Sequence, residues 1–308
     1  MSKIFSSFLF KLILTVAISV FIGFQISKIE YKEAQHSFRK ILGVQTKKPV
    51  DQALQSRIEG FLEDKDGDYA VLVKDLKPEG KRNVLINSGE DFEAASLYKL
   101  FLMAAVYQAV NDGKINMETE ISAKLSHLDE VLGGRDFGYE EFDADETIGH
   151  TVREALARVA AFSDNYAAIL LAEKVGWDSI QETADGVGAT KTSVKNPITT
   201  SAEDVGLILE KLYKGEVVSL ESSEQILDLL SKSQISNRFP AKLPQDIRIA
   251  HKTGELSGVR NDAGIVFLDG NPYVIVEMSQ NLEGEDEGVE NLAEISKIVY
   301  DYYAANQK

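Results

Sequence analysis

The chain has 308 residues, 44% hydrophobic and 27% charged, an ordinary globular composition rather than that of a disordered chain. With 33 Lys+Arg against 49 Asp+Glu the formal net charge is −16, so the clustered positive surface that phosphate-backbone binding needs is not expected, nor is a nucleic-acid partner. The absence of cysteine excludes disulfides, thiolate nucleophiles, Cys-ligated metals and a lipidated N-terminal cysteine.

In chain order, the first feature is residues 8–26, FLFKLILTVAISVFIGFQI, whose only charge is Lys11. With its flanks, the uncharged run from Leu12 onward is long enough to cross a bilayer. Lys3 and Lys11 lie on its N-terminal side, which places the N-terminus in the cytoplasm. No A-x-A-like pattern follows, so an uncleaved signal anchor is expected ahead of a cleaved signal peptide or a buried core helix. The expected organisation is a cytoplasmic stub and transmembrane anchor over residues 1–27 and a polar juxtamembrane linker over 28–51. One soluble domain over 52–308 follows, held outside the cell on a single-pass anchor.

Within that domain, Leu54, Ile58 and Leu62 recur at helical spacing before the turn-rich DKDGD. Strands are predicted over residues 69–76 and 82–87, joined through Pro78 and Gly80 as a hairpin. The middle reads as helices over 97–110, 152–162, 165–175, 179–184, 202–213 and 221–231, with Thr151-x-x-Glu154 as a capping box. Strands return over 247–253, 259–269 and 273–279, and a last helix spans 289–303. The order strands, helices, strands, helix predicts an α+β fold. The N-terminal hairpin joins the C-terminal strands in one antiparallel sheet, flanked by terminal helices, with an all-helical lobe between.

Three short motifs carry candidate chemistry. Ser96-Leu97-Tyr98-Lys99 stands where a loop meets an apolar helix, so the hydroxyl feels the positive end of the dipole and Lys99 falls on the same face. Lys99 could accept the serine proton if burial lowers its pKa. Ser163-Asp164-Asn165 lies at a helix-to-helix corner. Lys252-Thr253-Gly254 ends a strand at the sheet edge, where Gly254 admits a ligand close to the backbone. Taken singly, the two serine motifs read more simply as helix caps.

Together, in this order and with the helical stretch between them, the motifs resemble those of the penicillin-recognising serine hydrolases, and within them the class A β-lactamase-like family. The resemblance runs from the YAVLVKDL strand to the last helix and includes LPQDIRIAHKTGELSGVRNDAGIVF. It implies a β-lactamase/transpeptidase-like fold, a β-lactam or D-Ala-D-Ala peptide substrate, and Ser96 as the acylated nucleophile with Lys99 as its proton acceptor. It further implies that Ser163 shuttles a proton, that Asn165 binds the substrate amide and that Lys252 sets the electrostatics around Ser163. Thr253 would bind a substrate carboxylate, and the backbone N–H groups of Ser96 and Glu255, beside Gly254, would form the oxyanion hole. Arg260 looks like the family's carboxylate-binding arginine. No cofactor or metal is implied, and a monomer is expected.

The chain departs from the family between Asn165 and Thr199-Thr200, where the stretch is short and no E-x-x-L-N occurs. Glu182 and Glu203 are the nearest acids, and both read as helix residues, so the usual base for deacylation is expected to be missing. Glu255 is unusual, an acid where a ligand carboxylate would approach. The acidic stretches 136–146 and 283–290 lack calcium-loop spacing and read as solvated loops, and His36, His127, His150 and His251 show no metal-ligand spacing. The expected function is an extracytoplasmic serine hydrolase. The alternative is a membrane-tethered β-lactam or muropeptide sensor that binds without turnover.

Overall fold

The computed structural model describes residues 49–77, 80–136 and 138–306. Residues 8–26 and the linker up to residue 48 lie outside the described residues. Among the described residues, no helix is long and apolar enough to cross a membrane.

A five-stranded antiparallel sheet organises the domain, in the order β2 (Val84–Ile86), β1 (Asp68–Asp75), β9 (Tyr273–Gln280), β8 (Val259–Val266) and β7 (Ile249–Leu256). The predicted N-terminal hairpin thus meets the C-terminal strands through β1 and β9, which pair from Asp68↔Gln280 to Asp75↔Tyr273. Alternation along β1 decides which residues face which layer. Val71 and Val73 pack with Leu54 and Ile58 of α1 (Gln52–Leu62) and with Leu292, Ile295, Val299 and Tyr303 of α9 (Glu285–Ala305). Asp51 caps α1, accepting from the amides of Ala53 and Leu54, and also receives the Tyr302 hydroxyl of α9, which ties the two terminal helices together.

The opposite face, with Ala70, Leu72, Val274, Val276 and Met278, carries the helical lobe. That lobe comprises α2 (Lys99–Asn111), α3 (Leu125–Leu132), α4 (Val152–Phe162), α5 (Asn165–Val175), α6 (Trp177–Val187), α7 (Ala202–Tyr213) and α8 (Leu220–Leu230). A Cβ at Gly206 would come within 2.5 Å of Leu72, so glycine lets α7 lie directly on the sheet.

The boundaries of α4, α5 and α7 coincide with the predicted ones, and the Thr151–Glu154 capping box forms. Among the described residues, five α-helices and strands are additional: α3, the hairpin of β4 (Glu120–Lys124) with β5 (Thr147–Thr151), and the pair of β3 (Phe92–Glu93) with β6 (Thr199–Thr200). The acidic stretch over 283–290 is not a loop throughout. From Glu285 it forms the first turns of α9, where acids meet the positive dipole end.

Candidate active site

The nucleophile candidate stands on a strained turn. Phe92 and Glu93 pair with Thr200 and Thr199, the Ala94 amide donates to Ile198 O (3.0 Å), and Ala95 then takes the left-handed conformation at φ 45°. Ser96 follows inside a 3₁₀ turn, Ala95–Tyr98, whose side chains make no capping bond, so the helix-cap reading of this serine does not hold. The turn runs into α2, and the Lys99 amide donates to Ser96 O. Leu97 and Tyr98 of this turn are buried. Strand β7 presses on the turn from the other side: a Cβ at Gly254 would stand 3.1 Å from Ala94 O, Ala95 Cβ and the Ser96 amide nitrogen. Asn261 on β8 donates its side-chain amide to Glu93 O at 2.9 Å, fixing the same turn to the sheet.

Ser163 ends α4 in the left-handed conformation, φ 57°, and Asp164 caps α5 by accepting from the Ala167 amide. This sharp corner aims Ser163 and Asn165 into one site. Lys99 is fully buried; its ammonium donates to Ser163 O (2.7 Å) and Asn165 Oδ1 (2.7 Å) and lies 3.5 Å from Ser163 Oγ. Burial pushes the Lys99 amine down to about 8, against the pull of the nearby Asp136 and Asp164 carboxylates. Lys252, also buried, donates to Ser163 Oγ (2.7 Å) and Thr253 O (2.8 Å). Burial and then the positive charge of Lys99 hold its amine well below the usual lysine range. The Ser163 hydroxyl therefore bridges two buried amines, an arrangement that can relay a proton between them.

The structure brings Ser96, Lys99, Ser163, Asn165, Lys252 and Gly254 together, and Thr253 is buried on the same edge strand. Two contributors carried no sequence signal. Asp136 receives both the amide N–H of Asn165 (3.1 Å) and its side-chain Nδ2 (2.9 Å), so this residue of the acidic loop orients the site. Arg238 is buried beneath β7; its guanidinium donates to Gly254 O and Asn261 O, both at 3.4 Å, and to the Glu255 carboxylate at 2.7 Å. Against the burial that would raise it, the Arg238 guanidinium, with the charges of Arg260 and Lys252, holds that carboxylate below the usual range. Arg260 donates to the Glu285 carboxylate at the start of α9 and to Leu256 O and Val259 O. Its fork is thus engaged by the chain itself.

From Gly188 to Ala202 the sequence holds no Asp or Glu. Glu182 lines a cavity of about 520 Å³ with Ala105, Lys174 and Glu216, none of them a residue of the site above. Glu203 accepts from the Ser88 hydroxyl at 3.1 Å, and Asp204 holds the preceding turn through the Lys191 amide and the Thr192 hydroxyl. Among the described residues, no group of three or more acidic or histidine side chains is placed to hold a metal ion.

Residues 52–303 match the model of the beta-lactamase enzyme family. Among characterised proteins the chain is 23% identical to the beta-lactamase VEB-1 of Pseudomonas aeruginosa, covering 81% of this chain and 90% of that one. It is 27% identical to the extended-spectrum beta-lactamase PER-1 of the same species, over 81% and 87%. Among solved structures, PBP-A superposes with a TM-score of 0.75 at 21% identity, over 84% of this chain and 98% of that one. A beta-lactamase from Sphaerobacter thermophilus gives 0.73 at 22%, over 83% and 98%. These likenesses agree in fold, and the chain belongs to the beta-lactamase enzyme family, on its class A-like branch.

Proposed function

We propose that the protein is an extracytoplasmic serine hydrolase acting through a Ser96 acyl-enzyme on β-lactam amides or D-alanyl-D-alanine peptides. The observation that carries this is the Ser163 hydroxyl held between the buried amines of Lys99 and Lys252, beside the Ser96 turn. In this reading neutral Lys99 takes the Ser96 proton as Oγ attacks the carbonyl carbon, and the carbonyl π electrons move onto oxygen. The amides of Ser96 and Glu255 stabilise that oxyanion, with Gly254 letting β7 approach the Ser96 turn. The C–N bond then breaks, and Ser163 passes its proton to the departing nitrogen, replenished from the lysines. Asn165, oriented by Asp136, offers a side-chain donor to the substrate amide.

Deacylation is proposed to be slow, because residues 188–202 hold no carboxylate, Glu203 is engaged by Ser88 and Glu182 lines a separate cavity. Steady-state hydrolysis of a penicillin should fall far below the ~10–10³ s⁻¹ of efficient enzymes. Turnover in that range would contradict slow deacylation. The same absence favours a second reading, a sensor that keeps its acyl group; release of D-alanine from a pentapeptide over repeated turnovers would rule it out. Residues 8–26 are proposed to anchor the protein as a single-pass helix with the domain outside, on the strength of the uncharged run and the flanking Lys3 and Lys11. Extraction of the full chain from membranes by alkaline carbonate would contradict the anchor.

A further inference from the structure

The end of the cleft beyond Lys252-Thr253-Gly254 holds a pairing that the reaction above does not use. Arg238 is one of the largest fully buried side chains, and its side chain is 2% exposed, whereas that of its partner Glu255 is 64% exposed. Every nitrogen of the fork is occupied: Nε donates to Asn237 Oδ1 (3.2 Å), Nη1 to Gly254 O and Asn261 O, and Nη2 to Glu255 Oε2 (2.7 Å). Of these acceptors, Gly254 O and Asn261 O belong to buried residues and the exposed Asn237 takes only Nε, so the acceptor on Nη2 is the exposed Glu255 carboxylate. Nη2 is therefore reached from the cleft only where Glu255 now stands. Arg260 does not offer a substitute, since Glu285 and two backbone carbonyls take its guanidinium.

We propose that Glu255 is a built-in carboxylate that occupies the Arg238 fork and sets the substrate class of the site. A substrate carboxylate arriving at this end meets a negative charge and must displace it to reach Nη2. A substrate whose departing half is neutral or cationic meets no such competition and gains an exposed anion. The cleft thereby selects amides whose departing half lacks a free carboxylate, such as amidated or chain-internal peptides, over those that end in one. This inference rests on the proposed function for the location of the cleft.

The test measures equilibrium binding on the Ser96→Ala background, where no acyl-enzyme forms, by NMR titration with benzylpenicillin and with its methyl ester. Adding Glu255→Gln should raise the affinity ratio of carboxylate to ester about tenfold, the equivalent of one charge-assisted hydrogen bond gained. The rise should persist at about 1 M salt, where the screening length is roughly 3 Å, because the competition is by contact. A ratio that does not change, or a change abolished by salt, overturns the proposal. So does failure of the carboxylate ligand to bind either variant. Failure of the proposed function is separable: it appears as no ester-derived adduct on Ser96 in the chain that retains both Ser96 and Glu255.

Discussion

The chemistry of the site turns on a lysine that is buried rather than solvated. Lys99 must be neutral to accept a proton, and with its amine pushed down to about 8 the neutral fraction grows as pH rises towards that value. Acylation of Ser96 should therefore rise about tenfold per pH unit below it and level off above it, measured as the rate of adduct formation across a pH series. Lys99→Arg keeps a positive charge at every pH in the series, so it should slow acylation by ~10²–10⁴-fold and remove the inflection. A retained inflection would assign the titration to another group. The residues carrying this chemistry were legible as three motifs in order, because each fixes its own local geometry: a turn, a helix corner and a strand end. Asp136 and Arg238 were not legible. Their roles arise from loops that approach the site only in the folded chain, and an aspartate in an acidic stretch or an arginine before Phe239-Pro240 looks like any solvated charge.

At the scale of elements, two junctions hold the motifs in place. The first is the contact of β7 with the nucleophile turn. Gly254→Ala adds a methyl 3.1 Å from the Ser96 amide nitrogen, tighter than ordinary packing, so the turn or the strand must give way. Acylation should fall by ~10²-fold, the size of losing one oxyanion donor, while the unfolding midpoint moves little by comparison. The second is the α4–α5 corner. The buried Asp164 carboxylate accepts from the Ala167 amide (2.9 Å), Arg158 Nε (2.6 Å) and the Tyr139 hydroxyl (3.1 Å). Asp164→Ala removes the cap and strands a partly buried guanidinium, so urea unfolding should show a loss of about 2–4 kcal/mol. Asp164→Asn, which keeps a capping oxygen, should lose less. Helices with long apolar periods and caps, α4, α5 and α7, were readable to the residue. The eight-residue α3, the two-residue strands β3 and β6, and the β4–β5 hairpin were not, since so few residues carry no period and their pairing depends on distant partners.

For the whole molecule, the central sheet contains a buried carboxyl group that stability alone would not select. Glu277 on β9 is fully buried, and among the described residues neither carboxylate oxygen finds a hydrogen-bond partner. It stands opposite Asp262 on β8, which is engaged with His251. Burial, with the Asp262 charge adding to it, pushes the Glu277 carboxyl well above the usual range. The folded state then holds a proton that the unfolded chain releases above its ordinary carboxylate pKa, so this group lowers stability as pH rises from that value. Glu277→Met should stabilise the domain by about 1–3 kcal/mol at pH 7, with the gain shrinking towards acid pH. A loss of stability, or a gain independent of pH, would show that the carboxyl is satisfied in solution. Composition and element order made the α+β architecture and the sheet closure legible. A buried acid was not, because EMS within YVIVEMS reads as one outward position of an alternating strand.

Acylation of Ser96 is read out by the intact mass of the chain incubated with excess benzylpenicillin, followed by peptide mapping over a time course. One covalent equivalent is expected on Ser96, absent in Ser96→Ala and lost only slowly after free ligand is removed. No adduct under prolonged excess, or an adduct that survives in Ser96→Ala, would contradict it.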